Sequence, residues 1–245
     1  MNAGPSAPGY RAAGAAAVRA VLFDLDGTLL DTAADIAAAL NAALAEQRLG
    51  PLAPAEVRAL IGRGVPTLIE RALARCGAAG ARADRARLQQ RYDAHYERLH
   101  EDNGFAARPF PGVVQGLSAL GALGVRLAVV TNKPQRLAVE LLAKLELTRW
   151  IQLVVGAQDG RERKPHPQPL LLACARLQVL PAQALMVGDS QVDVLAARAA
   201  RIAVVCVPYG YNEGADPRTL ACDAFVDSIA ALPALLAGRS RPGAP

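Results

Sequence analysis

Apolar residues along this chain fall in short unbroken runs. The first is Val21-Leu22-Phe23, within VRAVLFDLD at residues 18–26. Similar runs recur at residues 125–131 (VRLAVVT), 153–156 (LVVG), 184–189 (ALMVGD) and 202–208 (IAVVCVP), and residues 224–227 read as an edge strand. Continuous apolar strands of this length are buried on both faces, as in parallel sheets. Stretches with helical spacing separate them, at residues 114–123, 134–145, 167–178 and 192–200. Strand alternating with helix predicts an α/β fold: a Rossmann-like parallel sheet core with helices on both faces.

One segment breaks the alternation. Between the first strand and Pro109, about eighty residues carry no good strand, too many for a βα loop. They read as helices near residues 32–48, 54–61, 65–76 and 81–102, punctuated by Pro51, Pro54, Gly62, Gly64, Gly77 and Gly80. Leu60, Leu68, Ile69 and Leu73 lie at helical spacing and are expected to form the core of this insertion. Pro109, Pro111 and Gly112 mark the return to the sheet. The expected division is residues 18–31 and 109–236 for the core and 32–108 for an all-helical inserted domain. Residues 1–17, rich in Gly, Pro, Ser and Ala, read as a disordered tail, and residues 237–245 as a C-terminal tail.

Composition narrows the function. Of 245 residues, 52% are hydrophobic and 20% charged, enough apolar content to exclude a wholly disordered chain. Aromatics are only 4%, so Ala, Leu and Val must fill the core. No run approaches the ~18 apolar residues of a membrane span, and no membrane partner is expected. The net charge is +5, carried almost wholly by scattered arginines, since Lys133, Lys144 and Lys164 are the only lysines. Without a block of like charge, solvated helix faces explain it better than a nucleic-acid surface. A small anionic substrate also suits the sign. Cys76, Cys174, Cys206 and Cys222 form no CxxC pair, which argues against zinc or dithiol chemistry and for free thiols in a reducing compartment. Cys174 and Cys206 are expected in the core. The N-terminal residues lack a secretory pattern, so a cytoplasmic location is expected.

Candidate chemistry gathers at strand ends, where open α/β sheets bind ligands. Asp24 and Asp26 are two apart on an extended chain and share one face, with Gly27 allowing a sharp turn after them. Two carboxylates this close call for a cation or a proton between them. Asp31 and Asp35, by contrast, read as cap or turn residues. The second strand ends in Thr131-Asn132-Lys133-Pro134 before a helix N-terminus, which attracts anions. Lys164-Pro165-His166-Pro167 places one cation between stiff prolines. Val187-Gly188-Asp189-Ser190 ends the fourth strand, with Asp193 four residues after Asp189.

DLDGT, VTN, KPHP and GDSxxD in this order resemble the haloacid dehalogenase superfamily, over residues 18 to about 236. The helical insertion after DLDGT resembles that superfamily's C1 cap domain. Aspartate at position 26 matches its phosphatases and phosphomutases rather than its dehalogenases. GRGVPTLIERAL, TNKP, KPHPQPLL and PYGYNEG are similar to the bacterial phosphoglycolate phosphatases within it. Two positions depart from the common pattern: Val192 where Asn is frequent, and Arg201 where Gly often ends the helix.

The resemblance implies a Mg²⁺-dependent phosphomonoester hydrolase working through an aspartyl phosphate, with 2-phosphoglycolate as the substrate. Asp24 would be the nucleophile. Asp26 would protonate the leaving alkoxide and then deprotonate water. Asp24, Asp189 and the Asp26 backbone carbonyl would hold Mg²⁺, with Asp193 behind them or holding Lys164. Thr131, Asn132 and the Gly27 backbone would bind phosphoryl oxygens, and Lys164 would neutralise charge. Gly62-Arg63-Gly64 would be a flexible turn reaching over the site, Arg63 either pairing with a substrate carboxylate or staying solvated. The alternatives are a phosphatase of another phosphosugar, such as N-acetylmuramic acid 6-phosphate, or a non-catalytic binding protein, which would be expected to have lost Asp24, Asp26 or Lys164. The expected partner is a small phosphomonoester; monomer and homodimer both remain open.

Overall fold

The computed structural model describes residues 17–78, 82–102, 104–158 and 160–237. The expected tails fall outside the described residues except for Ala17 and Ala237. The elements in chain order are β1 (Ala20–Phe23), β2 (Leu30–Asp31), α1 (Ala33–Glu46), α2 (Pro54–Arg58), α3 (Val65–Arg75), α4 (Arg82–Glu101), β3 (Arg108–Pro109), α5 (Val113–Ala122), β4 (Arg126–Pro134) and α6 (Gln135–Lys144). They continue with β5 (Leu153–Ala157), α7 (Gln168–Arg176), β6 (Ala184–Gly188), α8 (Gln191–Ala199), β7 (Ala203–Cys206), β8 (Ala224–Phe225) and α9 (Leu232–Ala237).

Six strands form one parallel sheet in the order β5-β4-β1-β6-β7-β8. The chain leaves β1 for β4 and β5 on one side, then returns to β6 on the other. β1 is therefore the switch point, and the carboxyl ends of β4, β1 and β6 lie side by side. Each sheet face carries its own apolar layer. Phe23, Leu127, Leu185 and Val205 pack on one side with α5 and α6, and Leu22, Ala128, Met186 and Val204 on the other with α7 and α8. Cys174 and Cys206 are buried in the second layer, as expected.

Helices α1 to α4 fill the interval between β2 and β3 and share a third apolar cluster. Leu60, Leu68, Ile69 and Leu73 are all buried in it, as the spacing predicts. Helix α4 is polar overall, yet Leu88, Tyr92, Tyr96 and His100, each four residues apart, are buried along one stripe. No helix among the described residues is long and apolar enough to cross a membrane.

Four sequence expectations need correction. The interval before Pro109 is not free of strand, because β2 and β3 pair antiparallel where the chain leaves and re-enters the core (Leu30 with Pro109, Asp31 with Arg108). Helix α2 stops at Arg58, and its continuation tightens into i→i+3 turns, Leu60 N–H to Val57 O and Ile61 N–H to Arg58 O. Strand β4 does not end at Thr131: after a register irregularity Pro134 pairs with Ala157. Gln135 secures that extension, donating to Val154 O and accepting from Gly156 N. Neither Asp31 nor Asp35 caps a helix: Asp31 lies in β2, and Asp35 is buried and accepts from Ala106 N (2.6 Å) and Ala107 N (3.0 Å), tying α1 to the returning chain. Helix α8 ends near its expected place, with Arg201 taking the left-handed φ of 56° that a glycine would adopt more easily.

Candidate active site

Asp24 directly follows β1 at the centre of the sheet and is buried. Its Oδ1 accepts from Leu25 N (2.7 Å) and lies 2.9 Å from Lys164 Nζ. Past it the backbone closes a tight turn, the Leu25 carbonyl accepting from Leu29 N (3.0 Å) and Leu30 N (2.9 Å). Gly27 sits in this turn at φ 90°. A Cβ there would stand 2.5 Å from Asp189 Oδ2, so only glycine lets the two strand ends approach. The Gly27 N–H donates to Leu30 O (2.9 Å), so it serves the turn, and Gly27 is not among the residues lining the cavity described below.

Asp189, after β6, is held at both oxygens. Oδ1 accepts from Thr28 Oγ1 and Oδ2 from Tyr211 N, each at 2.7 Å. Asp193, on the first turn of α8, is fully buried and saturated. Its Oδ2 accepts from Asp189 N (3.2 Å), Ser190 N (3.2 Å) and Ser190 Oγ (2.8 Å), and its Oδ1 accepts from Lys164 Nζ (2.7 Å). Carboxylate oxygens of Asp24, Asp189 and Asp193 lie within 4.8 Å of one another, all buried. Three carboxylates need more positive charge than the single Lys164. Burial, reinforced by Asp193 and Asp189 and opposed by Lys164, pushes the Asp24 carboxyl up to about 8. Burial and Asp193 push Asp189 up to about 6. Burial works against the Lys164 ammonium, but Asp193 and Asp24 prevail and hold its pKa above the ordinary value. An all-oxygen donor set with unmet negative charge fits a hard divalent cation. Because Asp193 is already saturated, Asp24 and Asp189 are the carboxylates left to bind one.

Asp26 turns into a cavity between the sheet and the helical insertion. Its Oδ1 accepts from Thr32 Oγ1 (2.7 Å) and lies 3.2 Å from Lys133 Nζ. Asp24, Thr131 and Asn132 line the same cavity, with Ile61, Gly62, Gly64, Val65 and Leu68 from the insertion. The Asn132 amide donates to Gly62 O (3.1 Å) and Lys164 O (2.9 Å), bridging the insertion to the core. Arg63 is not among the lining residues. Its Nε pairs with Glu213 Oε1 (2.6 Å), and Arg71 pairs with the other oxygen of Glu213 (2.7 Å).

Sequence reasoning missed Tyr211, Glu213, Lys133 and Tyr96. The Tyr211 hydroxyl donates to Asp31 Oδ1 (2.9 Å) and accepts from Thr32 N (2.8 Å) and Ala33 N (3.0 Å), pinning the exit to the insertion. PYGYNEG carries both Tyr211 and Glu213, so a signal was present without a role attached. Lys133 is buried, with its ammonium 4.6 Å from the centre of the Tyr96 ring.

A buried carboxylate at a parallel-sheet switch point, beside a lysine and a second acid, can serve as a metal ligand or as a nucleophile. The family model for haloacid dehalogenase-like hydrolases matches residues 21–207, and the chain belongs to that family. It is 47% identical over 217 residues to the phosphoglycolate phosphatase (plasmid) of Cupriavidus necator, covering 89% of this chain and 92% of that one. The Nitrosospira multiformis phosphoglycolate phosphatase is 44% identical over 213 residues, 86% of this chain and 92% of its own. Among solved structures, one described as a predicted phosphoglycolate phosphatase from Haemophilus somnus superposes with a TM-score of 0.81 at 32% identity, covering 89% of this chain and 98% of that one.

Proposed function

We propose that this chain is a Mg²⁺-dependent phosphomonoester hydrolase that converts 2-phosphoglycolate to glycolate and phosphate. The observation that carries the reading is the buried Asp24 carboxylate, 2.9 Å from Lys164 Nζ and clustered with Asp189 and Asp193. The names of the relatives support the substrate. Residues 18–31 and 109–236 act as the catalytic core, and residues 32–108 as a cap over it.

The Asp24 carboxylate attacks phosphorus, and the ester P–O bond breaks as the Asp26 carboxyl gives its proton to the departing glycolate oxygen. An aspartyl phosphate remains on Asp24. The Asp26 carboxylate then takes a proton from water, whose oxygen attacks phosphorus and breaks the bond to Asp24. Inorganic phosphate leaves and Asp26 is again protonated. Thr131 and Asn132 bound the space for the phosphoryl oxygens. Lys164 holds Asp24 in place and offsets its charge. Asp24, Asp189 and the Asp26 carbonyl would hold Mg²⁺, which would supply the positive charge that keeps Asp24 and Asp189 ionised beside the phosphate. A phosphate dianion with the Asp24, Asp189 and Asp193 carboxylates makes about −5, against about +3 from the cation and Lys164, and backbone N–H groups soften the remainder.

Phosphate release with Mg²⁺ tests this reading, comparing kcat/KM for 2-phosphoglycolate and N-acetylmuramic acid 6-phosphate. A large preference for 2-phosphoglycolate is expected. Preference for the sugar phosphate would keep the chemistry and overturn the substrate; activity on neither would overturn both.

A further inference from the structure

The cavity beyond Asp26 has aliphatic walls, Ile36, Ile61, Val65, Leu68 and Leu137 among them. Two polar groups in those walls contact no phosphoryl oxygen in the mechanism proposed above. Lys133 brings an ammonium whose side chain is 5% exposed, and its partner is the Asp26 carboxylate (3.2 Å), which Thr32 Oγ1 also holds. Tyr96, 1% exposed, lines the same cavity. Among the described residues, its hydroxyl and His100 Nε2 are the buried side-chain polar atoms without a hydrogen-bond partner. An orphan hydroxyl in an aliphatic wall costs stability unless a ligand completes it. The Lys133 ammonium rests against the Tyr96 ring, 4.6 Å from its centre, so the two groups belong to one place.

That place adjoins Asp26, the group assigned to the leaving oxygen. The part of a substrate lying there is the leaving group, not the phosphoryl group. A cation with a hydroxyl donor in apolar surroundings selects an anion. Arg63, the other cation expected to take this role, does not line this cavity, whereas Lys133 does.

We propose that the Lys133 ammonium and the Tyr96 hydroxyl form the subsite for the carboxylate of the substrate's leaving group, and that this pair sets the preference for 2-phosphoglycolate. The inference rests on the phosphoglycolate reading and adds the residues that enforce it. Glycolate offers its carboxylate one carbon from the ester oxygen, so a subsite beside Asp26 is at the right remove. A phosphomonoester of a neutral alcohol gains nothing from either group.

The test is the ratio of kcat/KM for 2-phosphoglycolate to that for ethyl phosphate, which replaces the carboxylate by a methyl group. A uniform loss of activity cancels in this ratio; Lys133→Met also disturbs proton transfer by Asp26, to which the two leaving groups respond differently, so Tyr96→Phe, which leaves the Lys133–Asp26 pair in place, is the deciding variant. In Lys133→Met the ratio should fall at least about tenfold, and in Tyr96→Phe about fivefold, the loss appearing chiefly in KM for 2-phosphoglycolate. Tyr96→Phe also keeps the ring and its packing. A normal wild-type preference with ratios unchanged in the folded variants overturns the subsite alone. A wild-type enzyme with no preference for 2-phosphoglycolate over ethyl phosphate overturns the substrate reading and this inference with it.

Discussion

Lys164 Nζ stands 2.9 Å from Asp24 Oδ1 and 2.7 Å from Asp193 Oδ1, with all three side chains buried. One ammonium thus joins the end of β1 to the first turn of α8. Removing it leaves three buried carboxylates without their cation. Lys164→Met should cost about 3 kcal/mol of stability, measured by urea unfolding of the metal-free protein. It should also lower kcat by about 10³-fold. Activity within a few-fold of wild type would show that Lys164 is structural only.

Asp26 is assigned to proton transfer, and that role depends on the leaving group. Asp26→Asn should lower kcat on alkyl phosphates by about 10³-fold. On p-nitrophenyl phosphate, whose leaving group needs no proton, the first step should be affected much less. A single-turnover burst of nitrophenol followed by slow hydrolysis is the expected signature. Equal losses on both substrates before the burst would assign Asp26 to structure.

Burial gives a pH dependence with a defined sign. In the metal-free protein Asp24 lies at about 8, above its ordinary 3.8, so the folded state binds that proton more tightly than the unfolded state. Its contribution is fully present at low pH and is lost as pH rises toward 8. A divalent cation competes with the same proton. The rise in Tm on adding Mg²⁺ should therefore be larger at pH 8 than at pH 6. A rise that is equal at both, or smaller at pH 8, would contradict the placement of the cation at Asp24.

Glu213 receives Arg63 and Arg71 and so fastens α3 and its preceding turn to the core. Both arginines are partly solvated, so the pairs contribute about 1 kcal/mol or less. Glu213→Ala should leave Tm nearly unchanged while speeding amide exchange in α3, read by mass spectrometry. A large fall in Tm would mean that the loop, with Glu213 itself at φ 52°, folds around these pairs.

Much of this arrangement was legible because it is local. An apolar run that ends in Asp24-Leu25-Asp26-Gly27 declares both a buried strand and a charged end to it, and Asp189 repeats the pattern after β6. Helical spacing exposed the core of the insertion at Leu68, Ile69 and Leu73. What stayed hidden depends on partners distant in sequence. The β2–β3 pair is two residues long on each side and exists only because Leu30 meets Pro109. Lys133 looks like a helix-start lysine until β4 is seen to carry it past Thr131 into the cavity. Arg63 looked free because its partner, Glu213, comes 150 residues later. Tyr96 sits on a helix so polar that a buried, unpartnered hydroxyl could not be read from its neighbours.

The central claim is covalent chemistry at Asp24, and trapping the intermediate tests it most directly. Enzyme quenched in acid during turnover of 2-phosphoglycolate with Mg²⁺, then reduced with borohydride and mapped by mass spectrometry, should carry the reduction product of an acyl phosphate at Asp24 and nowhere else. Asp24→Asn should carry none and release no phosphate. Modification at another residue, or sustained turnover in Asp24→Asn, would contradict the account.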